Sequence, residues 1–170
     1  MKTKVLTLVF IFALAAGSAF GTTFNFTFAG SNISATGTLA GDELGGGIFM
    51  ITSGHINITG DITASGDLIA TPDPGNPGIY TSPAGYYFYD NELFTGVDPQ
   101  LDLYGLLFAV PYEVNIYENP PTCLSFVNAN GYQFYQGKFE AVSTPEPSSL
   151  ALLGSALLGC VAILRRRFAA

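Results

Sequence analysis

Positive charge is what this chain has least of. Between Thr22 and Thr144 one basic residue, Lys138, stands against twelve carboxylates, a net charge of −11; Lys2, Lys4, Arg165, Arg166 and Arg167 all sit at the ends. With no Lys/Arg cluster to neutralise phosphate, nucleic acid is excluded as a partner, and anionic headgroups are repelled. The acidic balance either keeps a protein soluble or draws divalent cations. Lys, Arg, Gln and Glu, which normally clothe helices, are scarce beside abundant Gly, Thr, Ser, Asn, Tyr, Phe and Ile, so the composition favours sheet.

Nucleophiles and metal ligands are equally sparse. His55 is the only histidine, which leaves no His pair for zinc and makes any Ser-His-Asp arrangement hang on one residue at a strand start. Cys123 is alone in the central stretch and Cys160 lies in an apolar run, so no internal disulfide survives loss of the tail. Cys123 reads as a small buried apolar residue, with pairing to another chain as the alternative. A Gly-x-Ser-x-Gly elbow, a phosphate-binding Gly-Lys-Ser/Thr loop and a Cys-x-x-Cys pair are all missing.

What is present is strand pattern. Residues 22–142, roughly 120 in number, make one domain of ordinary size. Phe24, Phe26 and Phe28 alternate with Asn25, Thr27 and Ala29, the period-two signature of a half-buried strand. Ala35 to Leu39 and Ile48 to Thr52, joined through Gly45-Gly46-Gly47, extend it to three antiparallel strands. Three six-residue echoes over Ser53 to Ala70 invite a β-helix, but so short a stack buries no continuous core, and a Gly-punctuated hairpin is expected. Further strands are expected over 86–94, 101–110, 112–117, 124–127 and 132–142, with a loop at Pro72 to Gly78. Short strands with turns at regular spacing imply an all-β, antiparallel β-sandwich, with a closed antiparallel β-barrel as the alternative.

Two clusters could carry chemistry. Tyr86, Tyr87 and Tyr89 lie in the densest aromatic patch and could stack on sugar faces while their hydroxyls bond, a polysaccharide-binding reading. Alternation puts Tyr87 and Tyr89 on one face and Phe88 on the other, and one of those faces belongs to the core. Asp90, Glu92, Asp98 and Asp102 could supply a glycosidase carboxylate pair, and with Asn91 they offer oxygen ligands for Ca²⁺, although no spaced calcium loop is visible. Thr36-Gly37-Thr38 motivates an ice-binding alternative, which would need a flat, regular threonine array.

Both ends read as addresses. Residues 1–21 have a basic start at Lys2 and Lys4, an apolar run from Val5 to Ala16 and small residues Ala19 and Gly21, the pattern of an export signal cut after Gly21. At the other end come Pro145-Glu146-Pro147, an apolar run from Leu150 to Leu164, and Arg165-Arg166-Arg167. About fifteen apolar residues make a helix of about 22 Å, short of a hydrocarbon core near 30 Å. Ser148 and Ser149 on one side and snorkelling arginines on the other let a helix over 149–164 span, with the arginines on the cytoplasmic face.

The stretch Thr144-Pro145-Glu146-Pro147-Ser148-Ser149-Leu150-Ala151-Leu152-Leu153-Gly154, with the following apolar residues and arginines, closely resembles the PEP-CTERM sorting domain of exported bacterial proteins, known also as an ice-binding-protein C-terminal domain. The resemblance covers residues 143–170. It implies recognition of Pro145, Glu146 and Pro147 by an exosortase-like membrane protease, retention by Arg165, Arg166 and Arg167, and delivery to the envelope, the cell surface or the exopolysaccharide matrix. Prolines on both sides hold Glu146 extended, which suits a protease cleft. Phrases such as Leu101-Asp102-Leu103-Tyr104 are similar to segments of exported PEP-CTERM proteins and carry no activity with them. The expectation is therefore a non-enzymatic exported protein, tethered to the inner membrane before sorting. Its partners would be the export translocon, the protease and extracellular polysaccharide; the alternatives are a carbohydrate-binding module, a carbohydrate-active hydrolase or an ice-binding protein.

Overall fold

Phe24, Phe26 and Phe28 are buried while Asn25 and Thr27 are exposed, and in the computed structural model these two sets are the inner and outer faces of a barrel stave. The structure describes residues 21–70, 77–82, 85–111, 113–128 and 131–144. The expected export signal, apart from Gly21, lies outside the described residues, as do the Pro145-Glu146-Pro147 triplet, the expected membrane helix and the arginine cluster. Among the described residues the regular elements are all strands, and no helix is long and apolar enough to cross a membrane.

In chain order the strands are β1 (Thr22–Gly30), β2 (Ile33–Gly45), β3 (Ile48–Gly60), β4 (Ala64–Leu68), β5 (Gly78–Ser82), β6 (Gly85–Tyr89), β7 (Glu92–Phe94), β8 (Leu106–Ala109), β9 (Val114–Tyr117), β10 (Cys123–Asn128) and β11 (Gly131–Ser143). β1 to β4 form a meander in which each strand pairs antiparallel with the next, and Gly46 and Gly47, both at positive φ, make the two-residue turn between β2 and β3. The hairpin expected over Ser53 to Ala70 is β3 with β4. β4 pairs with β8, β8 with β9, β9 with β10, β10 with β11, and β11 returns to β1 through Phe24↔Ser143 to Gly30↔Gly137.

Eight strands thus close on themselves, and the sandwich gives way to the closed antiparallel barrel held as its alternative. A sandwich needs a break in hydrogen bonding where two sheets separate, and the ring from β1 to β11 has none. Eight strands enclose a space that side chains fill. Phe26 stacks on Phe139 at 5.5 Å and meets Phe108 at 5.9 Å, joining β1, β11 and β8 across the interior. Ile56, Ile58, Val114, Ile116, Leu124 and Phe126 complete one continuous core.

Between β4 and β8 the chain leaves the barrel. The β5–β6 hairpin pairs only with itself, and β7 extends the wall beside the start of β3 through Phe49↔Leu93. The strand expected over 86–94 breaks at Asn91, which takes a left-handed conformation at φ 58. The strand expected over 101–110 shortens to β8, because Asp102 Oδ1 accepts from the backbone N–H of Tyr104 and Gly105 and turns the chain. Gly105 has φ 64, and a Cβ there would lie 2.0 Å from the Ile116 carbonyl oxygen, so the turn needs glycine.

Candidate functional site

With Val114, Ile116, Leu124 and Phe126 pointing inward, the residues between them face out. Leu107, Asn115, Ser125 and Phe134 are register partners across β8, β9, β10 and β11 and form one row on the outer wall. The β5–β6 hairpin lies over the Leu107 end of this row. Tyr87 and Tyr89, each 4 % exposed, pack on Leu107 as a small second core. Their hydroxyls donate to the backbone oxygens of Glu113 and Ala70, both at 3.1 Å. Burial, with Tyr132 and Glu113 adding to it, pushes the Tyr87 hydroxyl far above the ordinary tyrosine range. Of the three expected sugar-stacking tyrosines, Tyr86 alone is presented to solvent; Tyr87 and Tyr89 fasten the hairpin down.

A groove of about 280 Å³ opens where hairpin and wall meet. Tyr86 and Phe88 bound it from the hairpin, Leu103 from the preceding loop, and Tyr132 and Phe134 from the start of β11. All five are exposed, out of nine exposed large apolar side chains among the described residues. Tyr132 meets Tyr87 edge-on at 5.9 Å, donates its hydroxyl to the Tyr86 carbonyl, and lies nearly parallel to Phe134 with ring centroids 6.2 Å apart. Sequence reasoning missed Leu103, Tyr132 and Phe134 and left Phe88 unassigned. The missed signal was the alternation of Tyr132 and Phe134 against Tyr135 and Phe139, which gives β11 an aromatic outer face as well as a core face.

Asn115 forms the groove's polar floor beside Ser125 and Tyr117. Its Nδ2 donates to the backbone oxygens of Phe88 and Tyr104, each at 3.1 Å, tying hairpin and loop to the wall. Those two acceptors set the orientation of the amide, since a flip would put Oδ1 against two carbonyl oxygens. Oδ1 is buried and has no hydrogen-bond partner among the described residues.

The acidic candidates lie apart from this groove. Asp90 is 5 % exposed, accepts from the backbone N–H of Glu92 and shares a hydrogen bond with Asp102. Burial first, then the neighbouring Asp102 and Glu92 carboxylates, raise its carboxyl to about 7 against the opposing Glu92 N–H bond. Burial, then Asp102, also raises Glu92. Asn91 is fully buried and committed: its Nδ2 donates to the Ile69 carbonyl and its Oδ1 accepts from the Leu107 N–H, so its amide oxygen is taken. Asp98 lies in a separate hollow with Gln100 and Lys138. Among the described residues no three His, Cys, Asp or Glu side chains are placed to hold a metal ion, so the five calcium candidates do not assemble into a site.

Four further residues take structural positions. His55 is exposed on β3 and bonds its cross-strand partner Asp67 at 2.7 Å. Cys123 is buried, with its thiol raised by burial and then by Glu118. Thr36 and Thr38 face outward beside Thr27 and Asn25 of β1, on a wall that barrel closure curves.

The model of the PEP-CTERM protein-sorting motif matches residues 143–167. No curated protein and no protein of solved structure matches the chain.

Proposed function

We propose that this chain, exported and directed to the envelope by its PEP-CTERM motif, is a non-enzymatic protein of the cell surface or exopolysaccharide matrix. The motif makes it a substrate for processing by an exosortase-type membrane protease. The junction carries the reading. Ser143 is both the last residue of β11 and the first residue of the matched motif, so a finished barrel and a sorting signal meet with no linker between them. In this reading the translocon exports the chain, a helix over 149–164 tethers it to the inner membrane, and a cut near Pro145-Glu146-Pro147 releases the barrel.

The groove's lining favours binding over catalysis. Among the described residues no carboxylate, histidine or lysine lines it, whereas glycosidic hydrolysis needs an acid and a base or nucleophile on either side of the bond. A carbohydrate-binding module is the second reading, favoured by the five exposed apolar side chains around the groove. The test is fractionation and intact-mass analysis of the full chain beside a Pro145→Ala, Glu146→Gln, Pro147→Ala variant. The wild type is expected to lose its tail and leave the inner membrane while the variant stays full-length there. Identical masses and distribution would reject the sorting half of this reading.

A further inference from the structure

We infer that the groove between the β5–β6 hairpin and the barrel wall is a binding site for an uncharged pyranose unit of a longer saccharide, with one ligand hydroxyl donated to Asn115 Oδ1. This names the ligand class of the polysaccharide reading and rests on it for that choice.

Three observations converge. The first is the orphaned acceptor: Asn115 is 5 % exposed, its amide is oriented by two backbone oxygens, and among the described residues its Oδ1 is left without a donor. A buried acceptor without a partner is costly, so a ligand O–H at this point recovers a hydrogen bond the fold alone leaves unmade. The second is the apolar surround. Nearly parallel Tyr132 and Phe134 form a two-ring platform on one side, and exposed Tyr86 and Phe88 stand on the other. Sugar rings present C–H faces to such platforms and hydroxyls at their edges, and a few polar groups in a mainly aromatic pocket set orientation.

The third is charge. Among the described residues the lining has no Lys, Arg, Asp or Glu, and residues 22–144 carry a net −11, so an anionic polysaccharide meets repulsion there. The same net charge disfavours a second copy of this chain as occupant. A volume of about 280 Å³ is at the small end for ligand sites and suits one ring, with neighbouring units of the chain continuing past the exposed aromatics.

The probes are hexasaccharides of β-linked glucose and of β-linked N-acetylglucosamine, titrated into the protein purified from cells, with polygalacturonate as the anionic control. At least one uncharged hexasaccharide is expected to bind and to shift the Asn115 side-chain amide resonances. Phe134→Ala and, separately, Phe88→Ala are expected to weaken binding tenfold or more with the melting temperature preserved. Both rings are more than half exposed, so either variant can be lost to misfolding and the other still reads the site. Overturning results would be no binding of either uncharged probe, equal binding of polygalacturonate, or concentration-dependent self-association that either variant abolishes. If matrix localisation persists without sugar binding, this inference fails alone. If tail variants leave location unchanged while sugar binds, the sorting reading fails and the groove stands.

Discussion

At the scale of single residues, Asp90 keeps a proton into the neutral range because burial penalises its charged form and Asp102 accepts its hydrogen bond. In an unfolded chain the same carboxyl ionises near its ordinary value of 3.8, while in the folded protein it does so at about 7. Between those pH values the native state holds a proton that the unfolded state has lost. The contribution of Asp90 to stability is therefore greatest below the lower value, declines as pH rises through the window and levels off above the upper one. Asp90→Asn, which keeps an N–H donor for Asp102, is expected to remove most of that slope, leaving the smaller part due to Glu92. Urea midpoints at pH 4.5, 6 and 8 check this, and an unchanged slope would refute the assignment. The acidic cluster was legible in the sequence, but its use was not. Whether Asp90, Glu92 and Asp102 coordinate an ion or share a proton depends on depth below the surface, and the spacing of carboxylates along a chain carries no information about depth.

At the scale of elements, the β5–β6 hairpin is a separate two-stranded sheet, and such a hairpin is marginal by itself. Docking through Tyr87, Tyr89 and Asn115 holds it. Tyr87→Phe combined with Tyr89→Phe removes two hydroxyl bonds to backbone oxygens, and each typically contributes about 1 kcal/mol. Faster amide hydrogen exchange confined to 78–82 and 85–89, with the barrel strands unchanged, is the expected result. Exchange that accelerates equally across the barrel would mean that the hairpin is no separate unit. Alternation in Tyr86-Tyr87-Phe88-Tyr89 revealed two faces but not which one was buried, since both are aromatic. The outer row of Leu107 settled that question by offering Tyr87 and Tyr89 an apolar seat.

At the scale of the whole molecule, the barrel is closed by its first and last strands. The final rung joins Thr144 to Thr23 through a backbone N–H to O bond, so both chain ends leave the described fold at one rim. From there, nine residues of β11 separate Ser143 from Phe134, about 30 Å along the strand. Phe134 of the groove is thus far along β11 from Ser143, where the matched motif begins. Phe26 links β1, β8 and β11 across the interior, and Phe26→Ala is expected to cost about 3–5 kcal/mol and to lower the unfolding midpoint cooperatively. A loss below 1 kcal/mol would show that the interior repacks.

By itself the sequence determined roughly where most of the barrel strands run, though not β5 or the breaks at Asn91 and Asp102, and also which side of β1 is greasy and that a sorting signal follows directly on the domain. Those features live in local alternation and in a contiguous motif, and both are readable within a few residues. Tertiary structure alone decided that the sheet closes into a ring, that Tyr87 and Tyr89 face the barrel's outer wall at Leu107, and that Asn115, Phe88 and Phe134 meet at one groove. Each of these depends on pairing between strands distant in sequence, such as β1 with β11 and β4 with β8, and identical strand patterns are compatible with either an open or a closed arrangement until those pairings are made.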